Sequence, residues 1–232
     1  MSKGRAVAVA AVLGLLAGCS SGGSRTAAPA GLTTTTTTGP APCPAAALPA
    51  GATDSTTVGG DYDGDGRPDR LQAYRAAAAG PWRLRVELGA GGAVETELPA
   101  TAEGVRPLGG VRLGPDQAQT AVVVVGTNAP GVNLGLFGLA ACRLERVTVG
   151  GAPTELPVRH TDTERDGLAC QPPGLVVYKA TSTDGRFFQA STVGYLLIGS
   201  TLDEADRSLS PLGADDPLLD RFDAFSCGGL RL

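Results

Sequence analysis

The sequence has little of what binds nucleic acid. Among 232 residues there are two lysines, one tryptophan and one histidine, aromatics make up 4%, and the net charge is −4. A nucleic-acid binder needs a basic face to neutralise phosphates, and a single-strand platform needs aromatic rings for stacking; nucleic acid is therefore excluded as a partner. With only His160 available, any Ser/His/Asp or Cys/His site must use that residue. It sits in Arg159-His160-Thr161-Asp162-Thr163-Glu164, a polar stretch that reads as an exposed loop. The G-x-S-x-G, H-E-x-x-H and G-x-x-x-x-G-K signatures are absent. No two cysteines lie within four residues of each other, so zinc-ligand spacing is missing too. Beyond the first 18 residues the longest apolar run, Ala121 to Val125, has the length of a strand. A bilayer span needs about 20 residues.

Punctuation, by contrast, is plentiful: 34 Gly and 17 Pro favour short strands and turns over long helices. A hydrophobic content of 42% is enough for a core, and the length suits one ordinary domain with appendages. Trp82-Arg83-Leu84-Arg85-Val86-Glu87-Leu88 alternates apolar and charged residues, the period of a half-buried strand. Gly89 to Gly92 then reads as a turn and Ala93 to Leu98 as the returning strand. Ala121 to Val125 reads as a strand buried on both faces. Leu134 to Leu139, Arg143 to Val149, Leu175 to Lys179 and Tyr195 to Ile198 follow as strands, with Thr183-Asp184-Gly185-Arg186 as a hairpin turn. Leu202 to Leu219 shows little β character, and Asp203-Glu204-Ala205-Asp206 is expected to start a short helix. Trp82 and Tyr74 are expected to pack in the core rather than line a sugar-binding face. The fold class is all-β, built from propeller-like strand-loop units of about 40–50 residues or as a β-sandwich, with at most one short helix near the C-terminus.

At the N-terminus, Lys3 and Arg5 precede an apolar stretch from Ala6 to Gly18, too short for a folded span but suited to a secretory signal. It ends in Leu16-Ala17-Gly18-Cys19, which resembles the lipobox of bacterial lipoproteins. The resemblance implies a signal peptide over 1–18, lipidation of Cys19 and a membrane partner through the acyl chains, which contribute about 0.8 kcal/mol per buried CH₂. Cleavage would take the net charge from −4 to −6, since only Lys3 and Arg5 are lost. Residues 19–45, with six consecutive threonines, cannot bury a core and read as a tether; 46–232 remain for the folded domain. The excess of Arg over Lys, 17 to two, fits a high-GC bacterial genome.

Setting Cys19 aside leaves Cys43, Cys142, Cys170 and Cys227. An even number in an exported chain implies two disulfides. Three pairings are open; the favoured one joins Cys142 to Cys170 across a modest loop and Cys43 to Cys227 at the two ends of the domain.

The strongest chemical signal is Asp61-Tyr62-Asp63-Gly64-Asp65-Gly66-Arg67-Pro68-Asp69. When a loop curls round a point, alternate side chains face inward. The carboxylates of Asp61, Asp63, Asp65 and Asp69, with the Arg67 carbonyl, would then supply the hard oxygens that Ca²⁺ takes. Unneutralised, these acids repel one another. An EF-hand is a poor match: its twelfth position would be Gln72 rather than Glu, its eighth is Pro68, and the Gly/Thr-rich stretch before it cannot form the entering helix. The loop instead resembles the calcium loops of FG-GAP/VCBS-type repeats, D-x-D-G-D-G-x-x-D followed by a strand. Gly59 to Asp65 aligns with Gly109 to Pro115 at an offset of 50, and each copy leads into a strand, with a remnant at His160 to Gly167. In the second copy Val111, Leu113, Pro115 and Gln119 replace the four acids, so no second ion is expected there. The whole chain is similar to small VCBS-like lipoproteins of high-GC Gram-positive bacteria.

The resemblance implies a monomeric, membrane-anchored extracytoplasmic module with a structural Ca²⁺, binding an envelope protein or glycan. Two alternatives stay open: a cell-envelope hydrolase using carboxylates such as Asp162, Glu164 and Asp166, and a structural envelope lipoprotein without a small ligand. No catalytic residue is assigned.

Overall fold

The computed structural model describes residues 43–45, 47–128 and 130–232, excepting the side chain of Asn128. The signal peptide, Cys19 and nearly all of the tether lie outside the described residues. The described chain is all-β, and among its residues no helix is long and apolar enough to cross a membrane.

The first sheet is an antiparallel meander of β1 (Thr53–Gly60), β2 (Asp69–Arg75), β3 (Trp82–Glu87) and β4 (Ala93–Glu97), in chain order. The alternation read in Trp82 to Leu88 is realised in β3. Trp82, Leu84 and Val86 are buried in one core with Leu71 and Ala73 of β2, while Arg83 pairs with Glu95 (2.7 Å) and Glu97 (3.1 Å) on β4. Trp82 and Tyr74 are both buried, as expected. The Tyr74 hydroxyl donates to Glu95 Oε2 at 2.7 Å, and Arg75 lies over the Trp82 ring.

The second sheet begins with β5 (Arg106–Val111), β6 (Thr120–Asn128) and β7 (Gly131–Ala140). Next come the short pieces β8 (Arg143–Arg146), β9 (Thr148–Val149) and β10 (Ala152–Pro153). It then runs through β11 (Leu156–His160), β12 (Glu164–Gln171), β13 (Gly174–Thr181), β14 (Phe187–Ile198) and β15 (Thr201–Gly213). A 3₁₀ turn, Pro217–Arg221, and β16 (Phe225–Ser226) finish the chain. The order is β10-β9-β15-β14-β13-β12-β11-β7-β6-β5, with β8 on β7 and β16 on β12. Since β8 pairs with β7 and β9, just after it in the chain, pairs with β15, the sheet wraps round a second core without closing into a barrel.

Strand β6 explains why Ala121 to Val125 is apolar without a break. Ala121, Val123 and Val125 face the first core with Leu84, Val86 and Phe137. Val122 and Val124 face the second core with Leu134, Leu136, Leu168, Leu175 and Leu202. A strand with a core on each side must be apolar at every position. A third, smaller core holds Phe188, Ala190, Leu212, Leu219 and Phe222 under the 3₁₀ turn.

Two expectations are corrected. Residues 203–206 do not start a helix: they belong to β15, the outer arm of a long hairpin with β14. The one helical turn lies later, at Pro217–Arg221, where Asp216 accepts the Leu218 N–H at 2.9 Å as its N-cap. The disulfides are Cys43–Cys142 and Cys170–Cys227, rather than Cys142–Cys170 and Cys43–Cys227. Strand pairing sets both. Parallel pairing of β16 with β12 puts Phe225 opposite Leu168 and Ser226 opposite Ala169, so the next residues, Cys170 and Cys227, come together. Cys142 occupies the two-residue turn between β7 and β8. Cys43 packs with it against the first core, held by the Ala93 N–H donating to the Pro44 carbonyl at 2.9 Å. Two disulfides point to an oxidising, extracytoplasmic environment.

Candidate functional site

The acidic loop joins β1 to β2 and spans residues 61–68. Its start and finish are paired, Gly60 opposite Asp69, so eight residues must turn back within the width of one strand pair. Gly64 and Gly66 take φ of +75° and +81°, the left-handed region where glycine pays no Cβ penalty. At Gly64 space forbids a side chain as well: a Cβ there would lie 2.9 Å from the Ala118 backbone nitrogen.

The residue between the first two acids anchors the loop. Tyr62 is buried in the first core, and its ring lies against Gly60, where a Cβ would come within 2.5 Å of it. Burial, then the charge of Asp69, push its phenol well above the ordinary tyrosine value. With Tyr62 turned inward, its neighbour Asp63 is exposed and Asp61 half-buried. Oxygens of Asp61, Asp63 and Asp65 all lie within 4.8 Å of one another. Local hydrogen bonds hold this curl: Asp65 N–H donates to Asp63 Oδ1 (3.1 Å), Gly66 N–H to Asp61 Oδ2 (3.2 Å) and Arg67 N–H to Asp65 Oδ1 (2.7 Å). Asp61 Oδ1 is buried and accepts no hydrogen bond. Burial raises the Asp63 carboxyl above its ordinary value; the Asp65 N–H opposes this, and the charges of Asp69, Asp65 and Asp61 add to the rise.

Asp69 is set apart from that triad. It is buried, and its oxygens accept the backbone N–H groups of Tyr62 (2.7 Å) and Gly89 (2.8 Å). It thereby ties the loop to the turn after β3. Arg67 is exposed, with its guanidinium 4.0 Å from Asp65.

Sequence reasoning missed the clamp on the other side. Between β5 and β6 lies a second eight-residue loop, 112–119, the counterpart of the acidic loop in the internal repeat. Its Gln119 donates its backbone N–H to the Asp61 carbonyl at 2.8 Å, and its side-chain Oε1 accepts the Asp61 N–H at 3.0 Å. The residue that replaces an acid in the second copy thus grips the first. The alignment of Asp69 with Gln119 marked the position but not its contact with Asp61. The third remnant, His160 to Gly167, covers the end of β11, a three-residue turn and the start of β12.

Of the carboxylates considered for hydrolysis, Asp162 is exposed in the turn after β11, and the other two are engaged in ion pairs. Arg159 pairs with both Glu164 (3.1 Å) and the buried Asp166. His160 ends β11, exposed, with Nδ1 2.6 Å from Asp223 Oδ2, and Arg165 reaches the same carboxylate at 3.5 Å. These contacts tie the C-terminal segment to the β11–β12 hairpin.

Searches against protein-family models, curated proteins and solved structures return no match to this chain.

Proposed function

We propose that the chain is a lipid-anchored, extracytoplasmic interaction module of the FG-GAP/VCBS-like kind, stabilised by Ca²⁺ in the 61–69 loop. The observation that carries this reading is the convergence of three carboxylates with a buried, partnerless Asp61 Oδ1. An acceptor hidden from water costs free energy unless something donates to it or binds it. Hard oxygens suit Ca²⁺, which takes six to eight of them. Asp61, Asp63 and Asp65 would hold the ion with the Arg67 carbonyl. Asp69 has on each oxygen the lone pair its N–H donor leaves free. The ion's contribution is structural: it neutralises the crowded acids and pins the loop that heads β2. The lipidation of Cys19 rests on the lipobox, and the disulfides fit the compartment it implies.

Thermal unfolding of the full chain with Ca²⁺ and with chelator tests the ion. Binding to the native state alone adds RT ln(1 + [L]/Kd), about 2.7 kcal/mol at a hundredfold excess over Kd. The midpoint should rise with Ca²⁺, and the rise should vanish in Asp63→Ala. An unchanged midpoint would leave the loop a surface turn. Fractionation tests the anchor: Cys19→Ala should leave the membrane fraction, and its retention there would refute lipidation.

A further inference from the structure

Away from the acidic loop, a cavity of about 220 Å³ opens where the end of β6 meets β7 and the chain that follows β8. Apolar Pro99, Ala102 and Val125 line it together with polar Thr101, Glu103, Thr127, Asn133, Arg146 and Glu155. The frame is rigid. The segment carrying Thr101 and Glu103 closes a turn through Ala102 N–H to the Pro99 carbonyl (2.9 Å). It is tied to β6 by Glu103 N–H to the Val125 carbonyl (3.3 Å), and Leu98, Ala102 and Val105 around it are in the first core. Arg146 is fixed by donating twice to the Thr154 carbonyl, at 3.1 and 2.6 Å, and by Glu155 at 3.3 Å.

We infer that this cavity binds one ring of a neutral sugar, as a terminal or side residue of a glycan. The groups that anchor the frame are spent, and the groups that face the cavity are not. Thr101, Glu103, Thr127 and Asn133 make no side-chain hydrogen bond to another described residue. The cavity therefore presents two hydroxyls and an amide beside one open carboxylate. Donors and acceptors in such a mixture match hydroxyls, which do both at one atom. Charge disfavours an anionic ligand: Arg146 pairs with Glu155 at 3.3 Å, and an anion would face Glu103. The volume lies below the roughly 300–1,000 Å³ of drug-sized sites, so a single ring fits and an oligosaccharide must extend outside. The inference deepens the module reading by giving it a ligand class, and it is independent of the ion.

Saturation-transfer NMR on the full chain, with glucose, galactose, mannose, arabinose and N-acetylglucosamine as millimolar probes, reads the binding directly. Two variants test its place. Asn133→Ala removes the amide. Gly126→Val adds bulk to the lining: a Cβ at Gly126 meets only Asn133, at 3.6 Å. With unfolding midpoints confirming that both variants fold, at least one sugar should bind the parent chain and bind each variant about tenfold or more weakly, while Asp63→Ala leaves that binding intact. No transfer to any of the five sugars overturns the inference, as does binding that neither variant weakens. Binding lost in a folded Asp63→Ala would move the ligand to the acidic loop and also overturn it.

Discussion

A single carboxylate can serve as ligand, brace or cap depending on which N–H groups reach it. Asp63 accepts one N–H and faces its acidic neighbours, whereas Asp69 accepts two and is buried. Asp184 shows the capping role without any ion. In the turn between β13 and β14 its Oδ1 accepts the N–H groups of Arg186 (2.9 Å) and Phe187 (3.3 Å), and the Ser182 hydroxyl adds a third contact. The Arg186 and Phe187 N–H groups hold its pKa below the ordinary 3.8. A depressed carboxyl contributes stability that is present above its unfolded value and lost as pH falls through the folded one. The turn should therefore keep its cap above about pH 4 and lose it only in stronger acid. A carboxyl ¹³C titration should place the Asp184 midpoint below 3.8; a midpoint at or above that value would show that the cap does not form in solution.

At the scale of elements, β3 and β6 were legible because a core imposed its pattern on them, whereas β11 and β12 were not read as strands although Leu156, Val158 and Leu168 are in the second core. The alternation of β3 and the unbroken apolar run of β6 each report burial, one face for the first and two for the second. Strand β15 carries no such report. Residues 203–211 are all exposed, so neither face imposes a period, and the Asp203–Asp206 run resembles an acidic helix start. What makes it a strand is long-range: β14 supplies twelve paired residues with one bulge at Gly194 and Tyr195. The same limit applied to the acidic site. The D-x-D-G-D-G-x-x-D spacing identified the loop, because alternation and glycine positions are local. The Gln119 clamp was not legible, because it depends on β5 and β6 bringing residue 119 beside residue 61. Exposed Phe187 and Leu209, on the same hairpin, belong to neither the cores nor the cavity.

For the whole molecule, the two disulfides staple different pairs of layers. Cys43–Cys142 fastens the start of the domain to the β7–β8 turn over the first core, and Cys170–Cys227 fastens the C-terminal segment to β12 over the second. They close 99 and 57 residues of chain, loops for which the chain-entropy argument gives about 4–5 kcal/mol each. A link between the two ends of the domain looked favourable from the sequence because it would tie a repeated β architecture shut. Strand register decides instead, because a bridge forms only between cysteines that the fold has already brought within reach. Paired deletions discriminate the alternatives. Removing Cys43 and Cys142 together should leave Cys170 and Cys227 bridged, so peptide mapping after iodoacetamide finds neither labelled, at a stability cost of up to about 5 kcal/mol. Removing Cys142 and Cys170 together should strand Cys43 and Cys227, and both should be labelled in the native protein or on mild unfolding. The reverse labelling pattern would overturn the connectivity, and with it the placement of β16 beside β12, since that parallel pairing is what delivers Cys227 to Cys170.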